Sequence, residues 1–209
     1  MRQRVRVVVG AFLVAVLAGC SGGGQEPAGL STVTASPAPE VSPTPIPTPT
    51  PTSILGRVLD MSDPELGIVF DDVPDLTGDE ADVYNWIATF EVEYWRTLVT
   101  NVASPAFSVF TSAEVQARME EIAANNTAGQ SKVAGVFHVR IADIVVTGDT
   151  ARATTCDNYG EMLAEDGDGP QTLEEVGLAE PVLLEVTLAR NPAGQGLWTI
   201  QTSRQVGTC

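Results

Sequence analysis

Apolar residues follow three different spacings along this chain, and each spacing predicts a different kind of segment. From Val7 to Ala18 they form a continuous run behind a basic start. Between about Gly78 and Asn101 they recur every three or four residues, which predicts an amphipathic helix. From Phe137 onwards they alternate with polar residues, which is typical of strands with one buried face. The pattern therefore predicts a leader followed by an α+β domain.

Two helices are expected before the strands. The first runs from about Gly78 to Asn101, with Thr77 and Glu80 spaced as a capping box. Its apolar stripe is unusually aromatic and comprises Val83, Trp86, Ile87, Phe90, Tyr94 and Leu98. Most charged residues of this helix are expected to fall outside the stripe: Asp82, Glu91, Glu93 and Arg96. The second helix should begin after a Ser112 cap and end near Asn125.

The rest of the domain is predicted to be antiparallel strands. The alternation slips in phase near Ala142-Asp143, which predicts a β-bulge there. A tight turn should follow, and the chain should return as a strand that ends near Asp157. The expected segments, in order, are the strand from Phe137 to Val146, the turn from Thr147 to Thr150, the strand from Thr150 to Asp157, and the strands from Pro181 to Arg190 and from Leu197 to Arg204.

The acidic connection from Glu161 to Glu180 is predicted to be a solvated loop. Its central Asp166-Gly167-Asp168-Gly169-Pro170 is slightly similar to a calcium loop. However, Pro170 and Gln171 occupy the places where such a loop needs its third ligand and its glycine. The sequence therefore indicates no metal ion, and it contains no motif for an organic cofactor.

The leader predicts export and lipidation. Its apolar run is shorter than the roughly 20 residues that a membrane-spanning helix needs. Leu17-Ala18-Gly19-Cys20 at its end resembles the lipobox of bacterial lipoproteins, which implies cleavage before Cys20 and acylation of that cysteine, with palmitate as a typical acyl group. The alternative is an ordinary secretory signal with a chance cysteine. We expect a signal peptide over residues 1–19 and a protein anchored to the cell membrane, on its extracytoplasmic face, through two or more acyl chains.

Two segments separate the lipid site from the domain. Residues 20–56 combine the lipidated N-terminus with a Ser, Thr and Pro-rich linker, in which proline recurs at positions 37, 39, 43, 45, 47, 49 and 51. This composition predicts an extended, disordered spacer, because it offers no apolar face to bury. Residues 57–77 are expected to form an extended lead-in, and the domain itself should cover residues 78–209.

Charge and cysteine content narrow the partners and the compartment. The formal net charge is −16, and loss of Arg2, Arg4 and Arg6 with the signal peptide would make it −19. Such an acidic chain is not expected to bind nucleic acid, which requires clustered lysine and arginine. With the first of the three cysteines committed to lipid, the remaining Cys156 and Cys209 predict a disulfide in an oxidising compartment.

The domain resembles the NTF2-like family, which includes SnoaL-like and ketosteroid-isomerase-like proteins. The likeness rests on the order of helices and strands, on the closing Gly-Leu-Trp-Thr-Ile, and on the Gly-Asp-Thr-Ala-Arg-Ala-Thr-Thr-Cys stretch with the terminal cysteine, which is similar to actinobacterial lipoproteins of this kind. The resemblance covers about Gly78 to Cys209. It implies a cone in which a curved antiparallel sheet wraps around the long helix and leaves a cavity. The enzymes of the family place a polar catalytic group inside this cavity, often Asp or His together with Tyr.

No catalytic set of that family transfers onto this sequence residue by residue. The weak candidates are Tyr94, His138 and Asp157. His138 alternates with the Phe137 and Val139 face and is expected to be exposed, and Asp157 with Tyr159 is expected to cap a strand end. The sequence therefore favours a non-enzymatic module that binds a small apolar ligand or a cell-envelope protein. The alternatives are an isomerase-like or dehydratase-like enzyme, and an adaptor for a cell-wall enzyme.

Overall fold

The computed structural model describes residues 56–192, 194 and 197–209. The predicted signal peptide, the predicted lipid site at Cys20 and almost all of the predicted Pro/Thr linker lie outside the described residues. None of the helices in the described part is long and apolar enough to cross a membrane. In chain order the elements are β1 (Ile68–Phe70), α1 (Gly78–Thr100), α2 (Phe107–Phe110), α3 (Ala113–Ala128), β2 (Lys132–Thr147), β3 (Thr150–Asp166), β4 (Gly169–Gln171), β5 (Val182–Arg190) and β6 (Trp198–Thr208).

The strands form one curved six-stranded sheet in the order β1-β2-β3-β5-β6, with β4 added beside the far end of β3. The α+β class is thus as predicted, but the sheet is mixed, because β1 runs parallel to β2. β1 belongs to the segment expected to be a plain extended lead-in. Ile68 and Phe70 are buried on either side of a half-buried Val69, and this short alternation is what fits the segment to the sheet edge.

Both long helices lie where the apolar periodicity placed them, and a one-turn helix, α2, precedes α3. The capping box predicted for α1 is wrong, since the Thr77 side chain makes no capping hydrogen bond. Ser112 does cap α3, with its Oγ accepting a hydrogen bond from the Val115 backbone N–H at 3.3 Å. The α1 helix ends at Asn101 in the left-handed conformation, a common helix stop.

The core is a chain of stacked aromatic rings between α1 and the sheet. The Trp95 and Phe137 ring centres lie 5.1 Å apart, and those of Phe137 and Tyr159 lie 4.9 Å apart. All three side chains are almost wholly buried. Burial of side chains of this size contributes about 1.5–3 kcal/mol each, so these contacts hold α1 against β2 and β3.

The predicted β-bulge is confirmed. The register of β2 against β3 shifts between Ala142 and Val145, and Asp143 adopts a positive φ of 53°. The Asp143 carboxylate accepts a hydrogen bond of 2.9 Å from the Thr154 hydroxyl across the pair. The bulge lets the apolar alternation continue on the same face after the phase slip.

β3 is much longer than expected. It continues past Asp157 to Asp166, so the predicted strand end at Asp157 and the solvated loop from Glu161 are wrong over this stretch. The buried face of this strand carries Thr155 and Asp157, and a second register shift follows before Met162. Polar residues on the buried face and a change of phase together hide a strand from an analysis based on apolar alternation.

Cys156 and Cys209 are joined as predicted. Their sulfur atoms lie 2.06 Å apart and their Cα atoms 6.0 Å apart. Cys156 lies in β3, the central strand of the order β1-β2-β3-β5-β6, whereas Cys209 directly follows β6. The carboxyl end is therefore tied to the centre of the sheet.

Candidate functional site

A cavity of about 180 Å³ lies between α1, α3, the loop after β4 and the strands β3, β5 and β6. Seven of its lining residues are apolar: Phe90, Val115, Met119, Ile122, Leu178, Val182 and Leu184. Its polar lining comprises Glu91, Tyr94, Arg118, Asp157, Tyr159, Ser203 and Gln205. The cavity thus combines apolar walls with convergent polar groups, and small-molecule sites have both.

Two elements supply the polar cluster in this cavity. Glu91 and Tyr94 are three residues apart on α1, a spacing that places both on one side of a helix. Asp157 and Tyr159 are two residues apart on β3, a spacing that places both on one face of a strand. The packing of α1 on β3 therefore brings two carboxyl groups and two phenols together.

The two phenols connect the cavity to a buried carboxyl group. The Tyr94 and Tyr159 hydroxyl oxygens are 3.2 Å apart, within hydrogen-bond distance. The Tyr159 hydroxyl also donates to Asp157 Oδ2 over a long 3.5 Å. Tyr94 is partly exposed, whereas Asp157 has no solvent exposure. The chain of groups thus runs from a residue that is partly exposed to an acid that has no exposure.

Glu91 is the most unusual member of the cluster. Its side chain is fully buried, and within the described part of the chain neither of its carboxyl oxygens has a hydrogen-bond partner. Asp157 Oδ1 is also without a partner there. A buried carboxylate without donors is costly, so such groups retain their proton to higher pH.

Burial shifts the titration of every acid in the cluster. Loss of solvent raises the pKa of Asp157 to about 7, although the nearby Thr155 and Tyr159 hydroxyls partly offset the rise. Burial raises the pKa of Glu91 well above its usual value, and the negative charge of Asp157 adds to this. Burial also raises the pKa of Tyr94 to about 12. Near neutral pH the phenols are therefore hydrogen-bond donors, and Asp157 can gain or lose a proton.

The structure separates the three candidate residues named from the sequence. Tyr94 and Asp157 both line the cavity. Asp157 was expected to cap a strand end, and this is wrong, because it lies inside β3. His138 lies away from the cavity lining, on β2. Its Nδ1 is 3.2 Å from the Asp71 carboxylate and its Nε2 is 3.9 Å from that of Glu161.

Glu91 was assigned to the polar side of the first helix, and that assignment is wrong. It lies four residues after Ile87 and four before Trp95, both of which are fully buried. The true stripe passes through Ala88 and Trp95 as well as the expected residues, so Glu91 is near its centre. The signal available in the sequence was Trp95, whose helical spacing from Ile87 indicates that the residue between them, Glu91, lies on the buried side. Asp82 is also buried, contrary to expectation.

Over the described ranges, no group of three or more His, Cys, Asp or Glu side chains is arranged to hold a metal ion. Comparison of the whole chain with models of known protein families, and with curated protein sequences, gives no match.

Proposed function

We propose that this protein is a lipid-anchored extracytoplasmic lipoprotein whose NTF2-like domain binds a small, mainly apolar molecule in the cavity between α1, α3 and the sheet. The observation that carries the proposal is the polar cluster of Glu91, Tyr94, Asp157 and Tyr159 in a cavity that apolar side chains of α1, α3 and β5 also line. The Leu-Ala-Gly-Cys ending of the leader supports the anchor at Cys20. The long helix on a curved sheet supports the family resemblance.

The size and chemistry of the cavity describe its ligand. At about 180 Å³ it is smaller than the roughly 300–1,000 Å³ of sites for drug-sized molecules, so the ligand should have one or two rings. The Tyr94 phenol keeps its proton near neutral pH. Its hydroxyl can turn that proton from Tyr159, 3.2 Å away, to a carbonyl or hydroxyl oxygen of the ligand. Phe90, Met119 and Leu184 offer apolar contact to the remainder.

Binding can be tested with 4-phenyl-2-butanone, which joins one ring to one carbonyl. Isothermal titration of the mature protein should show saturable binding that weakens severalfold in Tyr94→Phe, the loss expected for one hydrogen bond. Tyr84→Phe is the matched control, because Tyr84 is a buried phenol of the same helix that does not line the cavity. Equal affinity in wild type and Tyr94→Phe, or no binding at all, would contradict the proposal.

One observation favours a second candidate, an enzyme that moves a proton as isomerases and dehydratases do. General acid or base catalysis requires a titratable group in a site that excludes water, and Asp157 and Glu91 are buried acids that line the cavity with Tyr94. The pKa of Asp157, raised by burial to about 7, suits a group that takes up and returns a proton near neutrality. Tyr159 and Tyr94 connect it to the cavity.

Deuterium exchange distinguishes the two candidates with the same ketone. In D₂O the enzyme should speed replacement of the hydrogens next to the carbonyl of 4-phenyl-2-butanone, as followed by proton NMR. Asp157→Asn should abolish the acceleration and leave binding largely intact. Wild-type protein that binds the ketone without accelerating exchange would exclude this proton transfer and leave binding as the function.

A further inference from the structure

Arg118 contributes a positive charge to the lining of this cavity. It lies on the exposed side of α3, and its Nη1 donates a hydrogen bond of 2.9 Å to the Ser203 carbonyl oxygen on β6. In the part of the chain that the structure describes, no carboxylate lies within ion-pair distance of it. The guanidinium therefore has donors to spare beside the cavity.

The charge of Arg118 reaches the polar cluster. Arg118 and Tyr94 line the same cavity. Burial raises the pKa of Tyr94, and the positive charge of Arg118 opposes that rise in part. The remaining charged members of the lining, Glu91 and Asp157, have no solvent exposure. A ligand entering the cavity thus meets the exposed Arg118 before it meets either acid.

A purely structural role would use Arg118 as a tether between α3 and β6. That junction already has two other links, since the Ser112 backbone N–H donates to the Ile200 carbonyl and the Ser112 hydroxyl donates to the Gln201 carbonyl. The hydrogen bond to Ser203 occupies one of the five guanidinium N–H donors. Tethering therefore leaves most of the charged group unused, in a chain with a net charge of −16.

We propose that Arg118 selects an anionic ligand, namely a small apolar molecule with a carboxylate or similar acidic group. The acidic group would pair with the guanidinium and accept a further hydrogen bond from Tyr94, while the apolar part lies against Phe90 and Met119. The inference rests on the proposed binding function and specifies the chemical class of the ligand. Pairing of a carboxylate with arginine is favoured by charge and by geometry.

Three probes with one skeleton and different charges test the proposal: 4-phenylbutyrate, 4-phenylbutan-1-ol and 4-phenylbutan-1-amine. Titration calorimetry of the mature protein at about pH 6 should show the acid binding at least about tenfold more tightly than the alcohol, the gain expected of one charge-assisted hydrogen-bonded pair. The amine should bind more weakly than the alcohol, because Arg118 repels it.

Substitution assigns the preference to Arg118. In Arg118→Gln the acid should lose its advantage to within about twofold, while affinity for the alcohol stays the same. The amide of glutamine can still donate to the Ser203 carbonyl, so the melting temperature should hardly change. Arg152→Gln removes the same charge from a residue that is outside this lining and should keep the preference. Arg118→Lys retains the positive charge and should therefore keep part of the preference for the acid.

Each result has a distinct meaning. If the alcohol or the amine binds wild type as tightly as the acid, or if Arg118→Gln keeps the preference, the selection by charge is wrong and the cavity remains a binding site. If none of the three probes binds, the proposed binding function fails as well. Should Arg118→Gln fail to fold, equal binding of the acid and the alcohol by wild type still overturns the proposal, and Arg118→Lys still tests the residue.

Discussion

The stability of this domain should fall as the pH rises from about 4 to about 7, and Asp157 should be a principal cause. Burial raises the pKa of this carboxyl group from 3.8 to about 7 in the folded protein. Between these values the folded state holds a proton that the unfolded state has released. Unfolding therefore releases a proton, and the free energy of unfolding decreases as the pH increases.

The size of the effect follows from the shift in pKa. A difference of about three pH units, at about 1.36 kcal/mol per unit, corresponds to about 4 kcal/mol from Asp157. The loss should be complete slightly above pH 7, where both states are ionised at this position. Glu91, whose pKa burial also raises, acts in the same direction. An effect of 4 kcal/mol is large against the 5–15 kcal/mol total stability typical of a domain.

Urea unfolding followed by tryptophan fluorescence, at intervals from about pH 4 to about pH 8, measures this slope. Asp157→Asn has nearly the same shape and cannot ionise, so it should become more stable relative to wild type as the pH increases. Glu91→Gln should behave similarly. Asp168→Asn, at an exposed position in the turn after β3, should follow wild type and serves as the control. Equal slopes for wild type and both buried-site variants would refute the reasoning, since other titrating groups cancel in the comparison.

Three further predictions concern the rest of the chain. Cys156→Ser should reduce the free energy of unfolding by about 4 kcal/mol, because the bridge closes a separation of 53 residues. The double variant that lacks both cysteines should be no less stable than Cys156→Ser. Two reactive thiols in the unfolded, unreduced wild type would contradict the bond. Cys20→Ala should lose incorporation of a fatty-acid analogue in metabolic labelling, and equal labelling would exclude the lipid site. Gly135→Ala should destabilise the domain by several kcal/mol in thermal unfolding, since the added Cβ would lie 2.2 Å from a carbonyl oxygen of β3. Gly148→Ala is the control: this glycine also has a positive φ, but nothing lies within 4 Å of the added Cβ, so the substitution should cost about 1 kcal/mol.

The sequence by itself was enough for the features that depend on local periodicity. The bounds of α1 and α3 follow from apolar residues that recur at helical spacing, because a helix must present one face to the core whatever that core is made of. The bulge at Asp143 follows from a phase slip that only an extra residue can repair. The pairing of Cys156 with Cys209 needed only counting, once Cys20 was set apart as the predicted lipid site.

The composition of the site was decided by tertiary structure alone. Tyr94 and Tyr159 are 65 residues apart in sequence, and only the packing of α1 on β3 joins their hydroxyls. Glu91 and Asp157 are polar residues on buried faces, so each contradicts the rule by which periodicity separates core from surface. The parallel pairing of β1 likewise depends on a distant strand. A periodic pattern shows which side of an element avoids water, but contacts between distant segments determine which groups meet there.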